Sequence, residues 1–99
     1  MPKYRVIPAG RVDGMLLRHV EFLARVSVPA ARRFRDDFAK LVRELEENPY
    51  QFPFELDMNL PAETYRKALF AGRYKALFLI EGRTVYLDAV LDCRQNNGY

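Results

Sequence analysis

Residues 71–92 read AGRYKALFLIEGRTVYLDAVLD. Two apolar runs rich in β-formers, Tyr74–Ile80 and Thr84–Leu91, are separated by Glu81-Gly82-Arg83. Gly72 and Gly82 stand where the chain must turn sharply, and glycine reaches positive φ without steric cost. A third run, Tyr65–Phe70, comes just before. Three strands joined by such short links form an antiparallel meander. Tyr74–Ile80 is apolar on both faces apart from Lys75, the pattern of a central strand.

Upstream the period changes. Leu16, Leu17, Val20, Leu23 and Val26 recur at helical spacing, with Arg18, Glu21 and Arg25 on the other side. Asp13 is placed to accept from the free N–H groups of that helix's first turn. Ser27-Val28-Pro29 ends it and opens a second, since proline is tolerated in a first turn. Ala31, Phe34, Phe38, Leu41, Val42 and Leu45 form the apolar stripe of the second helix, which Asn48-Pro49 stops. So short a break predicts a helical hairpin. Tyr4-Arg5-Val6-Ile7 reads as a strand ended by Pro8-Ala9-Gly10. From Pro49 to Glu63 no period holds, but Tyr50, Phe52, Phe54, Leu56 and Leu60 predict a loop pinned to the core. The order strand, two helices, three strands predicts an α+β fold in one domain over residues 1–99, with the hairpin on one sheet face.

The totals exclude much. Ninety-nine residues with a 49% hydrophobic fraction suit one folded core and not a disordered chain. No apolar run approaches the roughly 20 residues that span a bilayer, and the first residues lack a signal-peptide pattern. A cytoplasmic protein without membrane association is expected. Cys93 is the only cysteine and His19 the only histidine, so neither a Cys/His metal site nor a Ser-His-Asp triad is expected. No cofactor or small-molecule ligand is expected. The net charge is +3. Between Arg11 and Glu47 eight basic residues meet seven acidic ones; from Glu63 onward six meet four. The C-terminal excess favours acidic partners, phosphate or carboxylate.

Candidate chemistry is sparse. Asp36 and Asp37 diverge on a helix, and spacing pairs Arg32 with Asp36 and Arg33 with Asp37 as local ion pairs. Asp88 and Asp92 fall on one strand face but four residues apart, too far for an intimate dyad. His19 reads as a helix-surface or partly buried residue. Arg66, Lys75, Arg94 and Tyr99 remain: three cations and a phenol on the sheet and on the polar tail after Leu91. Together they could clamp a phosphate or meet an acidic protein.

Taken in order, Pro29-Ala30-Ala31-Arg32-Arg33-Phe34, Leu45-Glu46-Glu47-Asn48-Pro49, Tyr65-Arg66-Lys67, Gly72-Arg73-Tyr74-Lys75-Ala76-Leu77-Phe78 and Asp92-Cys93-Arg94 resemble the RelE/ParE superfamily, toxins of bacterial type II toxin–antitoxin modules. The resemblance spans almost the whole chain. It implies a strand–hairpin–meander fold and a cognate acidic antitoxin that folds on the toxin as a helix or an added strand. The ParE branch acts on DNA gyrase, plasmid stabilisation being one setting for such toxins. The RelE branch is an mRNA interferase that cuts on the ribosome.

Laid on the nuclease pattern, Arg66 stands at a lysine position, Ala68 replaces a second lysine, and Lys75 takes the place of a phosphate-stabilising arginine. Arg94 and Tyr99 match the closing arginine and tyrosine. Lysine lacks the planar fork that grips two phosphate oxygens. Ala30-Ala31-Arg32-Arg33-Phe34 looks more like the ParE branch, which requires no catalytic set. Three readings follow: a ParE-like gyrase inhibitor, a RelE-like ribosome-dependent endoribonuclease with Arg66, Lys75, Arg94 and Tyr99 as its catalytic residues, or a detoxified member that only binds its antitoxin.

Overall fold

The computed structural model describes residues 2–57 and 59–94. Chain order is β1 (Arg5–Pro8), α1 (Val12–Val26), α2 (Val28–Glu47), a single 3-10 turn (Pro49–Gln51), β2 (Arg66–Phe70), β3 (Tyr74–Glu81) and β4 (Thr84–Asp92). The fold is α+β, as expected.

The expected meander is present: β2 pairs antiparallel with β3, and β3 with β4. Gly82 (φ 58°) and Gly72 (φ 81°) occupy its turns, and Ala71 shares the positive φ of the first turn at 51°. The sheet is larger than the meander. β1 lies parallel to β4, giving the mixed order β1-β4-β3-β2. β3 and β4 are therefore both interior strands.

One register detail governs which side chains face the helices. Leu77 pairs with Ala89 and Phe78 with Leu87, so Asp88 is an extra residue, a β-bulge. The bulge reverses the alternation of β4. Val85, Leu87 and Val90 all join the core under the helices, and Asp92 is buried four residues beyond the bulge. Asp88 and Asp92 consequently do not share a face as simple alternation would have it. The extra residue is held in place: Arg11 Nε donates to the Asp88 carbonyl at 3.0 Å and Arg11 Nη2 meets its carboxylate at 3.1 Å.

The hairpin supplies the other half of the core. Phe34, Leu41 and Leu45 of α2 are buried against Phe70, Tyr74, Ala76 and Phe78 of the sheet. The Ser27 hydroxyl accepts from Ala30 N at 3.2 Å and caps α2. α1 departs from its expected pattern at both ends. Its cap residue is Arg11, without a side-chain cap bond, and Asp13 lies inside the first turn. There the carboxylate still meets the positive end of the helix dipole. Val12, Leu16, Val20 and Leu23 face the core, whereas Leu17, rotated about 100° from Leu16, and Val26, the last residue of the helix, are exposed. His19 lies at helical spacing between Val12, Leu16 and Leu23, partly buried. It donates from Nε2 to the Val90 carbonyl at 2.8 Å and packs its ring on Phe34 and Tyr74.

The loop after α2 is pinned only in part. Glu55 N donates to Tyr65 O (2.7 Å) and Lys67 N to Pro53 O (2.9 Å), so residues 53–55 lie along the outer edge of β2. Phe52 packs edge-on against Phe78. Beyond the last of these bonds the chain leaves the sheet, and Leu56 is 82% exposed, contrary to expectation; Tyr50 is exposed as well.

Candidate functional site

Strand alternation places the cations of the sheet. In β2, Arg66, Ala68 and Phe70 share the helix-side face, while Lys67 and Leu69 share the opposite one. Arg66 pairs with Phe78, a core residue, and Lys75 pairs with Leu69. The two cations thus project from opposite faces of the sheet. The Arg66 guanidinium is used structurally: it lies 4.1 Å from the centre of the Phe54 ring and 5.2 Å from that of Tyr50, and donates to the Phe52 carbonyl at 2.6 Å. Stacking on two rings fastens the loop to the sheet rim.

On the face away from the helices, Lys75 meets Lys67, a residue the sequence comparison passes over in favour of its neighbour Arg66. Both ammonium groups reach the carboxylate of Glu55, Lys67 at 3.4 Å and Lys75 as a hydrogen-bonded ion pair. Glu55 is 6% exposed. A carboxylate so enclosed requires charge partners, because its desolvation is otherwise prohibitive. Glu55 therefore occupies the position between the two lysines that an incoming anion would need. Only the register of β2 reveals that Lys67, and not Arg66, shares a face with Lys75.

The third expected cation, Arg94, is exposed at the end of β4. Its backbone N–H donates to Asp92 Oδ1 at 2.9 Å, which makes a tight Asx-type turn after the strand. Tyr99 and residues 95–98 lie outside the described residues. Asp92 receives Arg73 Nη2 at 3.0 Å, and Cys93 N donates to Arg73 O at 2.7 Å. The start of the tail is thereby tied to the β2–β3 turn.

The hairpin presents a second surface. Leu17, Phe22, Val26 and Val28 are exposed apolar residues, and Arg18, Arg25, Arg32, Arg33 and Arg35 are exposed around them. The expected pairs of Arg32 with Asp36 and Arg33 with Asp37 do not form among the described residues. An exposed pair gains little over hydration and costs the rotamer freedom of a long arginine. A groove of about 430 Å³ runs between the helices, lined by Leu16, Leu17, Val20, Phe34 and Phe38 with Asp13 and Arg35 at its rim.

Among the described residues, no group of three or more His, Cys, Asp or Glu side chains could hold a metal ion, and no helix is long and apolar enough to cross a membrane. No family model matches the chain, and no curated protein matches it. A solved chain does: one from a chromosomal ParDE TA system of P. aeruginosa, with a TM-score of 0.73 and 12% identity, over 91% of this chain and 96% of that one. At that identity the likeness is one of architecture, and the fold of this chain is RelE/ParE-like.

Proposed function

We propose that the protein is the toxin component of a type II toxin–antitoxin module of the ParE-like kind, acting in the cytoplasm on DNA gyrase and neutralised by a cognate acidic antitoxin. The observation that carries this reading is the RelE/ParE-like fold combined with dispersed sheet cations. Arg66 stacks on the loop rings on one face, and Lys75 is engaged by Glu55 on the other. A toxin that works by binding requires no convergence of these groups, whereas phosphate clamping does. The hairpin surface supports the antitoxin partner: an apolar groove with unpaired arginines beside it suits an amphipathic acidic segment that orders on contact.

The test is a plasmid supercoiling assay with purified gyrase and excess protein. Accumulation of cleaved plasmid is expected, and undisturbed supercoiling would overturn the gyrase assignment. Co-expression with the neighbouring acidic reading frame is expected to yield a complex that co-purifies.

One observation favours the second reading, a ribosome-dependent endoribonuclease. Lys67 and Lys75 converge on one carboxylate and so could converge on a phosphate once Glu55 is displaced. Under that reading Lys75→Ala and Arg94→Ala both abolish mRNA cleavage on translating ribosomes.

A further inference from the structure

A cleft of about 110 Å³ lies where the hairpin tip meets the β2–β3 turn, lined by Leu23 of α1, Ala30, Arg33 and Phe34 of α2, and Ala71, Arg73 and Tyr74. Its volume is several times the roughly 30 Å³ share of one water molecule. Two of its lining residues carry buried polar atoms without a partner: the Tyr74 hydroxyl and Arg73 Nε. Tyr74 is only 2% exposed. Most buried polar groups find a partner, and each that does not costs on the order of 1–3 kcal/mol.

The chemistry of the orphans is one-sided. Arg73 Nε–H can only donate, and the Tyr74 hydroxyl can donate as well. The cleft is therefore short of acceptors. Arg73 already gives Nη2 to Asp92, which offsets its charge. Arg33 forms no ion pair among the described residues and leaves one positive charge at the mouth. Of the lining residues Ala30 lies in the first turn of α2, whose dipole adds to the positive potential at that end of the cleft. A single negative charge with two acceptor oxygens matches this set.

We infer that the cleft formed by Arg33, Arg73 and Tyr74 is a carboxylate-binding site that takes the side chain of an aspartate or glutamate from a bound protein partner. The charge balance argues against a dianionic phosphate, which the one uncompensated arginine would leave half-neutralised. The existence of a protein partner rests on the toxin–antitoxin reading; the carboxylate specificity does not.

The experiment uses the ¹⁵N-labelled full chain. Sodium acetate, blocked aspartate (N-acetyl-aspartate amide), inorganic phosphate and sodium chloride are titrated at matched ionic strength. The backbone amides of Ala71, Arg73 and Tyr74 and the Arg73 Nε–H are followed. Saturable shifts confined to these groups are expected with acetate and with blocked aspartate. No saturable response is expected with chloride, and phosphate is expected to bind no more tightly than acetate. Tyr74→Phe keeps the ring packing and should fold at least as stably, since it removes an unsatisfied hydroxyl, yet bind acetate about tenfold more weakly. Arg33→Met, at an exposed position, should show a similar loss. Shifts that match those in chloride, unchanged affinity in Tyr74→Phe, or tighter binding of phosphate would overturn the site. Binding of acetate but not of blocked aspartate would overturn the side-chain occupant. None of these outcomes depends on finding the antitoxin, so failure of co-purification would strike the partner reading alone.

Discussion

At the scale of single residues, Glu55 is the side chain on which most depends. It is buried, bridges Lys67 and Lys75, and its backbone N–H bonds to Tyr65. Truncation by Glu55→Ala removes the carboxylate but keeps the backbone bond. A cost of about 1–3 kcal/mol is expected by urea denaturation; it falls below that of a fully enclosed pair because both lysines retain some access to water. Lys67→Ala should cost less than about 1 kcal/mol, and the double mutant should cost less than the sum, the signature of direct coupling. Little of this was legible beforehand. Glu55 lies in a segment without period, and Lys67 gains its meaning only from the register that sets it beside Lys75. For His19 the sequence left a helix-surface and a partly buried position open, and its bond to Val90, seventy-one residues away, was not legible.

Elements were read more fully, because what ends and starts them is local. Ser27-Val28-Pro29 and Asn48-Pro49 mark the second helix to within a residue, and the alternation and glycines of residues 71–92 mark the meander. Gly82 opens the two-residue turn between Glu81 and Thr84 with the positive φ of a type II′ hairpin. No atom lies within 4 Å of where its Cβ would stand, so Gly82→Ala tests backbone strain alone. A loss of about 1–2 kcal/mol is expected from thermal or urea unfolding. Ser27→Ala should cost about 1 kcal/mol through the lost cap to Ala30. At exposed Leu17 the expectation reverses: Leu17→Ser should change stability by no more than about 0.5 kcal/mol yet weaken capture of the antitoxin in co-purification. Two features of the elements escaped the sequence for physical reasons. The parallel docking of β1 on β4 joins residues 79 positions apart, from Arg5 to Thr84, with nothing local to announce it. The bulge at Asp88 leaves the apolar composition of β4 unchanged while reversing the faces of everything after it.

At the scale of the whole molecule, the fold carries most of its unpaired arginines on the hairpin, beside the exposed Leu17, Phe22, Val26 and Val28, and buries or pairs most of the charge on the sheet. Of the four expected site residues, Arg66 and Lys75 part to opposite faces, Arg94 stands exposed at the end of β4, and Tyr99 lies outside the described residues. We read such a molecule as one that is bound by a partner and acts by binding. The most direct test of that claim is induction in cells lacking any antitoxin, with DNA and protein synthesis followed together by pulse labelling. The ParE-like account predicts that DNA synthesis falls first. Early collapse of protein synthesis, or growth without any effect, would contradict it.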